Sequence, residues 1–195
     1  MDIALDATAR EWRDRARRFA DEELIPREVE AELNEGRLPP EVEKRHKRLA
    51  IELGFSAMDV PKARGGREAR IVDQVAVWEQ LGRVTNALCW CFSEAQSWMF
   101  EACSGDQIQR FILPLVSGAR KECYAITESG SGSDVSIETT ARRAKDGYAI
   151  NGEKWYVTSA NHADYFILQA RLTDGPHAEK QMTQRSEERR VGKES

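Results

Sequence analysis

The chain has few of the residues that build metal centres or disulfide frameworks. Among its 195 residues are four cysteines and three histidines. No two cysteines form a C-x-x-C pair, and no histidine lies at zinc-ligand spacing from a cysteine. We therefore expect no metal site. We interpret Cys89, Cys91, Cys103 and Cys123 as reduced, mostly buried side chains of a cytoplasmic protein.

Long apolar runs and a strong excess of one charge are also missing. No apolar stretch approaches the ~18 residues of a membrane span, and no basic segment followed by an apolar core opens the chain. We therefore expect neither a membrane span nor a signal peptide. The formal net charge of −4 argues against a nucleic-acid partner.

Two kinds of hydrophobic periodicity divide the chain near residue 120. Before it, apolar residues recur at helical spacing, as in Trp12, Ala16 and Phe19, and Pro39-Pro40 opens another helix. After it, short apolar runs are separated by Asp146-Gly147 and Asn151-Gly152, which are typical of tight hairpin turns. The predicted fold class is α+β: an all-α helical domain over residues 1–119, then an incomplete antiparallel β domain, barrel-like, over residues 120–182.

The predicted strands of the β domain cover residues 122–126, 139–144, 148–150, 154–158 and 165–172. The end of the chain has a different composition, because residues 185–195 include one apolar side chain and cannot pack. This segment also resembles the translation of a sequencing adapter. We therefore expect residues 183–195 to be a disordered or artefactual tail.

A loop rich in glycine and serine follows the first predicted strand, in the sequence Tyr124-Ala-Ile-Thr-Glu-Ser-Gly-Ser-Gly-Ser-Asp134. It lacks the third glycine of a dinucleotide-binding fingerprint and the closing Gly-Lys-Ser/Thr of a Walker loop. Its glycines would let backbone amides approach a ligand, and its serines would donate to phosphate oxygens. An ordinary surface turn remains the alternative.

Hydroxyl and aromatic side chains flank this loop. Thr127 precedes it, and Tyr156 and Thr158 lie on a later predicted strand, where a spacing of two directs both to one face. Such groups hold flat heteroaromatic rings. The alternatives are a core-facing aromatic for Tyr156 and a structural strand threonine for Thr158.

Several segments, taken in order, resemble the acyl-CoA dehydrogenase family. The resemblance covers Phe19 to Arg171 and is strongest from Leu113 to Thr158. The segments that carry it are Phe19-Ala-Asp-Glu-Glu-Leu-Ile-Pro26, Glu79-Gln-Leu-Gly-Arg83, Leu113-Pro-Leu-Val-Ser-Gly118, Ala125-Ile-Thr-Glu-Ser-Gly-Ser-Gly-Ser-Asp134, and Ile150-Asn-Gly-Glu-Lys154 with Tyr156-Val-Thr158. Three positions depart from the family pattern: Ser129 replaces a common Pro, Ile137 a small residue and Tyr156 a frequent Trp.

The resemblance implies FAD as cofactor and assigns residues to it. The implied cofactor-binding residues are Tyr124, Ala125, Ile126, Thr127, Ser133, Tyr156, Val157 and Thr158. Residues 124–127 would run along the flavin ring, with the Thr127 hydroxyl on its pyrimidine side. Tyr156 would cover one face, the Thr158 hydroxyl would lie near N5, and Ser133 would reach the FAD pyrophosphate or the acyl-CoA substrate.

The activity implied is α,β-dehydrogenation of an acyl-CoA thioester, as in fatty acid metabolism. In the family the base is usually a Glu of a C-terminal helical domain, which we expect this chain not to include. No catalytic residue is therefore assigned, and we expect these residues alone to be inactive. Glu79 and Glu101 fit helix surfaces, and the position of Glu128 is not catalytic in the family.

The resemblance also implies partners: an acyl-CoA substrate, an electron-transfer flavoprotein or similar acceptor, and further copies of the full-length chain in a homo-oligomer. Two other functions remain open. One is a flavin-dependent monooxygenase or oxidase of the same superfamily, and the other is a non-catalytic, truncated module that binds flavin or a CoA ester.

Overall fold

The computed structural model describes residues 4–130, 136–145 and 147–175, and the backbone of residues 181–186. The chain divides into two compact units, and the boundary in the sequence falls between Arg120 and Lys121. We call them the helical unit and the β unit. The α-helices of the helical unit are α1 (Ala7–Phe19), α2 (Glu28–Glu32), α3 (Pro40–Glu52), α4 (Ile71–Leu81), α5 (Ser97–Ala102), α6 (Gly105–Gln107) and α7 (Leu113–Val116).

Local sequence explains where the longer helices begin and end. At the start of α1, the Asp6 carboxylate caps the helix by accepting a hydrogen bond from the Ala9 amide at 2.9 Å. Pro40 opens α3, where its missing amide proton costs nothing. The chain leaves α3 through Gly54, whose φ of +88° suits glycine. The predicted helix at Pro39-Pro40 is thereby confirmed.

An aromatic cluster forms the core of the helical unit. Phe55 is fully buried, and its ring centroid lies 6.4 Å from that of Trp12, 5.9 Å from Phe19 and 6.1 Å from Phe92. Trp12 and Phe19 both come from α1, which packs on α4. The periodicity of α1 therefore directs its aromatic face into the core.

The β unit contains one sheet, with strands β1 (Glu122–Ala125), β2 (Thr140–Ala144), β3 (Gly147–Asn151), β4 (Tyr165–Leu172) and β5 (Gln181–Ser186). β2 pairs with β3, and β4 with β5, in antiparallel fashion. β1 and β2 each pair with β4 in parallel. The residues of β4 that pair with β5 include residues that also pair with β1 and with β2. β1 and β2 therefore both lie on the edge of β4 that is opposite β5.

The order of a helical domain and then a β domain is confirmed, but the sheet is mixed rather than purely antiparallel. The long connection from β1 to β4 contains the β2–β3 hairpin, so β4 returns in the direction of β1. Among the described residues the sheet does not close into a barrel.

The predicted strand over residues 154–158 is wrong. Residues 152–157 are irregular and residues 158–162 form a turn. Tyr156 has a φ of +51° and Ser159 a φ of +63°. These left-handed conformations are incompatible with a β ladder, and they are uncommon for residues with side chains.

The end of the sheet extends into the segment predicted as a tail. β5 pairs with β4 as far as Ser186, so residues 183–186 have backbone partners. Residues 187–195 lie outside the described residues. In the part of the chain that the structure describes, no helix has the length and apolar character needed to cross a membrane.

Candidate functional site

A cleft of about 500 Å³ opens in the β unit beside the end of β1. Its lining residues are Ala125, Lys154, Val157, Ala160, Phe166 and Leu168. Ala125 pairs with Leu168, and Cys123 with Phe166, so all four lie on one face of the sheet. Most of the lining is apolar, which suits a flat, uncharged ring.

A buried ion pair lies next to this cleft. The Glu128 and Lys154 side chains are 6% and 8% exposed, and Lys154 Nζ lies 2.6 Å from Glu128 Oε1. The Thr139 hydroxyl donates to the same carboxylate oxygen, and the amides of Thr139 and Glu138 donate to the carboxylate at 2.9 and 2.6 Å. A buried carboxylate is tolerated here because it is paired and hydrogen-bonded.

These contacts decide the protonation state of Glu128. Burial alone would raise the pKa of this carboxyl. The Lys154 ammonium, the Thr139 hydroxyl and the two amides outweigh burial and lower the pKa from 4.5 to about 2. Glu128 is therefore an ion at neutral pH and is too weakly basic to abstract a carbon-bound proton.

The same lysine connects two segments that are distant in sequence. Lys154 Nζ donates to the Ile126 carbonyl at 3.0 Å, and the Trp155 amide donates to the Thr127 carbonyl at 2.9 Å. Gly152, two residues before Lys154, lies close to Thr139. Its φ is +151°, and a Cβ there would meet the Cα and Cβ of Thr139 at 2.7 Å.

The structure brings several of the predicted cofactor-binding residues together. Ala125 and Val157 both line the cleft. Ile126 and Thr127 are joined to the Lys154–Trp155 segment through their carbonyls. Within the described residues, the Thr127 hydroxyl has no hydrogen-bond partner, and Thr127 is not among the residues that line the cleft.

Tyr124 lies elsewhere. It pairs with Ile167, so its side chain is on the opposite face of the sheet from Ala125. Its hydroxyl donates to Gln169 Oε1 at 2.8 Å. The structure therefore gives the Tyr124 side chain a partner on the sheet and does not bring it to the cleft.

Tyr156 and Thr158 flank Val157 on irregular backbone. The Tyr156 side chain is 84% exposed and contacts the Trp155 ring edge-on at a centroid distance of 5.9 Å. Thr158 is exposed and begins the turn. The prediction that a strand directs both to one face is wrong, because the positive φ of Tyr156 breaks the alternation. Ser133 lies outside the described residues.

Sequence reasoning missed the residues that hold the site together. From the sequence, Glu128 is considered only as a possible catalytic base, and no role is assigned to the Lys154 or Thr139 side chain. The one available indication was the single acid before the glycine-rich loop and the single lysine after the Asn151-Gly152 turn. A carboxylate and an ammonium in these two segments are compatible with an ion pair, but Glu153 lies beside Lys154 in sequence, and only the fold shows that Glu128 is the partner.

Other candidates for chemistry are few among the described residues. Glu79 and Glu101 are exposed in α4 and α5, as predicted from helix surfaces. In the same described part of the chain, no group of three or more His, Cys, Asp or Glu side chains could hold a metal ion. The cleft beside Lys154 is therefore the best-supported site.

Comparison with known proteins gives the family. The model described as "Acyl-CoA dehydrogenase, N-terminal domain" matches residues 6–119, and that described as "Acyl-CoA dehydrogenase, middle domain" matches residues 123–186. The chain is 34% identical to benzylmalonyl-CoA dehydrogenase of Aromatoleum aromaticum over 89% of this chain and 46% of that protein. It is 28% identical to the caffeyl-CoA reductase-Etf complex subunit CarC of Acetobacterium woodii, over 80% of this chain and 41% of that protein.

A solved structure agrees with these matches. The acyl-CoA dehydrogenase of Bacillus anthracis complexed with FAD superposes with a TM-score of 0.74 at 25% identity, over 96% of this chain and 32% of that one. The chain spans less than half the length of the curated relatives named above. Two consecutive domain matches cover most of its residues, and the chain therefore belongs to the acyl-CoA dehydrogenase family.

Proposed function

We propose that the β unit binds the flavin ring of FAD in the cleft beside Lys154, and that the whole protein carries out α,β-dehydrogenation of an acyl-CoA thioester. The observation that carries this proposal is the meeting of Ala125 and Val157 in one cleft. These residues come from the two segments that resemble the family's flavin contacts. Similarity to an acyl-CoA dehydrogenase that contains FAD supports it.

The chemical character of the residues at the cleft fits a flavin ring. The apolar walls would contact its flat faces, and the Thr127 hydroxyl, which has no partner among the described residues, could bond its polar edge. The charge of Lys154 is neutralised by Glu128, so the cleft presents no net charge to a neutral ring system. The exposed ring of Tyr156 offers a flat surface for stacking.

FAD, when bound, supplies the hydride acceptor for the β-hydrogen of the substrate. The chain's own residues would then hold and shield the reacting centre. Thr127 and Thr158 would orient the ring through their hydroxyls, and Tyr156 would exclude water from one face. Ser133 would bind the FAD pyrophosphate or the acyl-CoA.

None of the three glutamates considered above is suited to be the carboxylate base of the reaction. Glu128 is ion-paired with a pKa of about 2, and Glu79 and Glu101 are exposed on helices. We therefore propose that these 195 residues bind flavin but do not turn over substrate. The base would belong to a part of the family's proteins that the match does not cover.

Partners and cellular location follow from the same proposal. The relative named as a subunit of an Etf complex supports an electron-transfer flavoprotein as redox partner. A homo-oligomer of the full-length protein and a place in fatty acid metabolism are further proposals. A location in the cytoplasm is also a proposal, supported by the free thiols of Cys89, Cys91, Cys103 and Cys123.

The test is a titration of the 195-residue chain with FAD, followed by flavin absorbance and fluorescence. We expect saturable binding, and we expect Thr127→Val to weaken it about two- to tenfold, as for loss of one hydrogen bond. Thr8→Val, on the exposed surface of α1, is the matched control and should leave the affinity unchanged. The absence of saturable binding, or equal affinity in Thr127→Val, would reject the proposed site.

A further inference from the structure

The contacts of Lys154 are with other parts of the β unit and are typical of a structural residue rather than of a cation that binds a ligand. Its side chain is 8% exposed, and its ammonium group already has Glu128 Oε1 at 2.6 Å and the Ile126 carbonyl at 3.0 Å. An ammonium has three protons to donate. With its charge neutralised, Lys154 is poorly suited to bind a phosphate.

We propose that Lys154 is a positioning residue for flavin binding: its buried ammonium fixes the Ile126–Thr127 peptide and thereby sets the orientation of the Thr127 donors that the proposed function assigns to the flavin. This inference rests on the proposed function, since it concerns affinity for the same cofactor.

Three bonds set the relative positions of the two segments. Lys154 holds Ile126 and Glu128, which lie on either side of Thr127 in sequence. The Trp155 amide then holds the Thr127 carbonyl at 2.9 Å. Thr127 is therefore fixed at its own carbonyl and at both neighbours.

The geometry of the Ile126–Thr127 peptide determines which way the Thr127 N–H points. A trans peptide is planar, with the carbonyl and the following amide pointing in opposite directions. Because the Ile126 carbonyl faces the Lys154 ammonium, the Thr127 N–H points away from it. Within the part of the chain that the structure describes, neither this N–H nor the Thr127 hydroxyl has an acceptor. Both donors are free to bond a ligand.

The positioning role can be separated from the role in folding. Removing one partner of a buried ion pair leaves an unpaired charge, whereas neutralising both partners is often tolerated. A Lys154→Met variant combines a folding defect with loss of the Ile126 contact. In the double variant Lys154→Met/Glu128→Gln the unpaired charge is gone, but the Ile126 contact is still missing.

The experiment measures FAD affinity and urea unfolding on the 195-residue chain and its variants. We expect Lys154→Met to weaken FAD binding about ten- to a hundredfold, the range for loss of a hydrogen bond to a charged group. The double variant should regain the unfolding midpoint but not the affinity, and Lys154→Arg should retain most of the affinity. Lys145→Met, which removes an exposed lysine of the same unit, should change neither.

A cofactor-free measurement keeps the inference testable apart from affinity. The ¹³C chemical shift of the Ile126 carbonyl should move in Lys154→Met and in the double variant, but not in Lys145→Met. A double variant that binds FAD as tightly as the wild type would overturn the inference while leaving the proposed function intact. A wild-type chain that binds no FAD would reject the proposed function, and the inference would fall with it.

Discussion

The two units of this chain both have apolar cores, but they differ in what lies at the centre of their best-defined contacts. The helical unit packs aromatic rings around the fully buried Phe55, whereas the β unit buries an ion pair between Glu128 and Lys154. Apolar packing stabilises a fold, but the hydrophobic effect does not depend on the precise orientation of the groups in contact. A buried ion pair gains little over a well-packed apolar replacement, but loss of the charge on one partner is costly. The difference suggests two tests, one of the aromatic packing around Phe55 and one of the ion pair beside the cleft.

The largest effect should follow from opening the aromatic core. Phe55→Ala removes a ring that contacts Trp12, Phe19 and Phe92. We expect a loss of about 3–5 kcal/mol in the free energy of unfolding, as for other buried Phe residues. Chemical denaturation followed by tryptophan fluorescence measures it. The control Leu33→Ala alters an apolar side chain that is 83% exposed and should cost little. Similar losses in the two variants would contradict the assigned core.

A somewhat smaller effect should appear in the pH dependence of the β unit. The folded-state pKa of Glu128 is lowered from 4.5 to about 2, so its ionised form stabilises the fold. This contribution is fully present above about pH 5 and is lost as the pH falls towards 2. A shift of this size corresponds to about 3 kcal/mol.

Thermal unfolding between pH 7 and pH 2 measures this dependence. A Lys154→Met/Glu128→Gln variant, which has no ion pair to titrate, should show a weaker decline in stability over the acid range than the wild type. Parallel declines in the two proteins would show that Glu128 does not carry the effect.

The smallest effect should come from the close approach at Gly152. Gly152→Ala places a Cβ 2.7 Å from the Cα and Cβ of Thr139, whereas Gly147, with a similar φ of +150°, has nothing within 4 Å. Both substitutions strain the backbone, but only Gly152→Ala also forces a new Cβ against the Thr139 side chain. We expect Gly152→Ala to be less stable than Gly147→Ala by about 1–3 kcal/mol in thermal unfolding. Equal losses would mean that the contact with Thr139 is not limiting.

The predictable parts of this molecule are those that local sequence decides. Periodicity placed Trp12 and Phe19 on the buried face of α1, and proline marked the start of α3. The motif comparison identified Ala125 and Val157, which the fold brings to one cleft. The features of α1 and α3 depend on neighbours within a few residues, whereas the assignments of Ala125 and Val157 came from the family resemblance.

The features that sequence reasoning missed depend on contacts between distant segments. The strand expected at residues 154–158 is interrupted by the left-handed backbone at Tyr156, which no local propensity indicated. β4 pairs in parallel with β1 and β2 because of a long connection. The pairing of Glu128 with Lys154 spans 26 residues, and it became visible only in the fold.

The most direct test of the account is to map FAD binding by ¹H–¹⁵N nuclear magnetic resonance on the labelled 195-residue chain. We predict that amide shifts on titration are concentrated at residues 125–127 and 154–160 of the β unit, with the Thr127 amide among the largest. Shifts confined to the helical unit, or no saturable shifts at all, would contradict the claim that the cleft beside Lys154 holds the flavin.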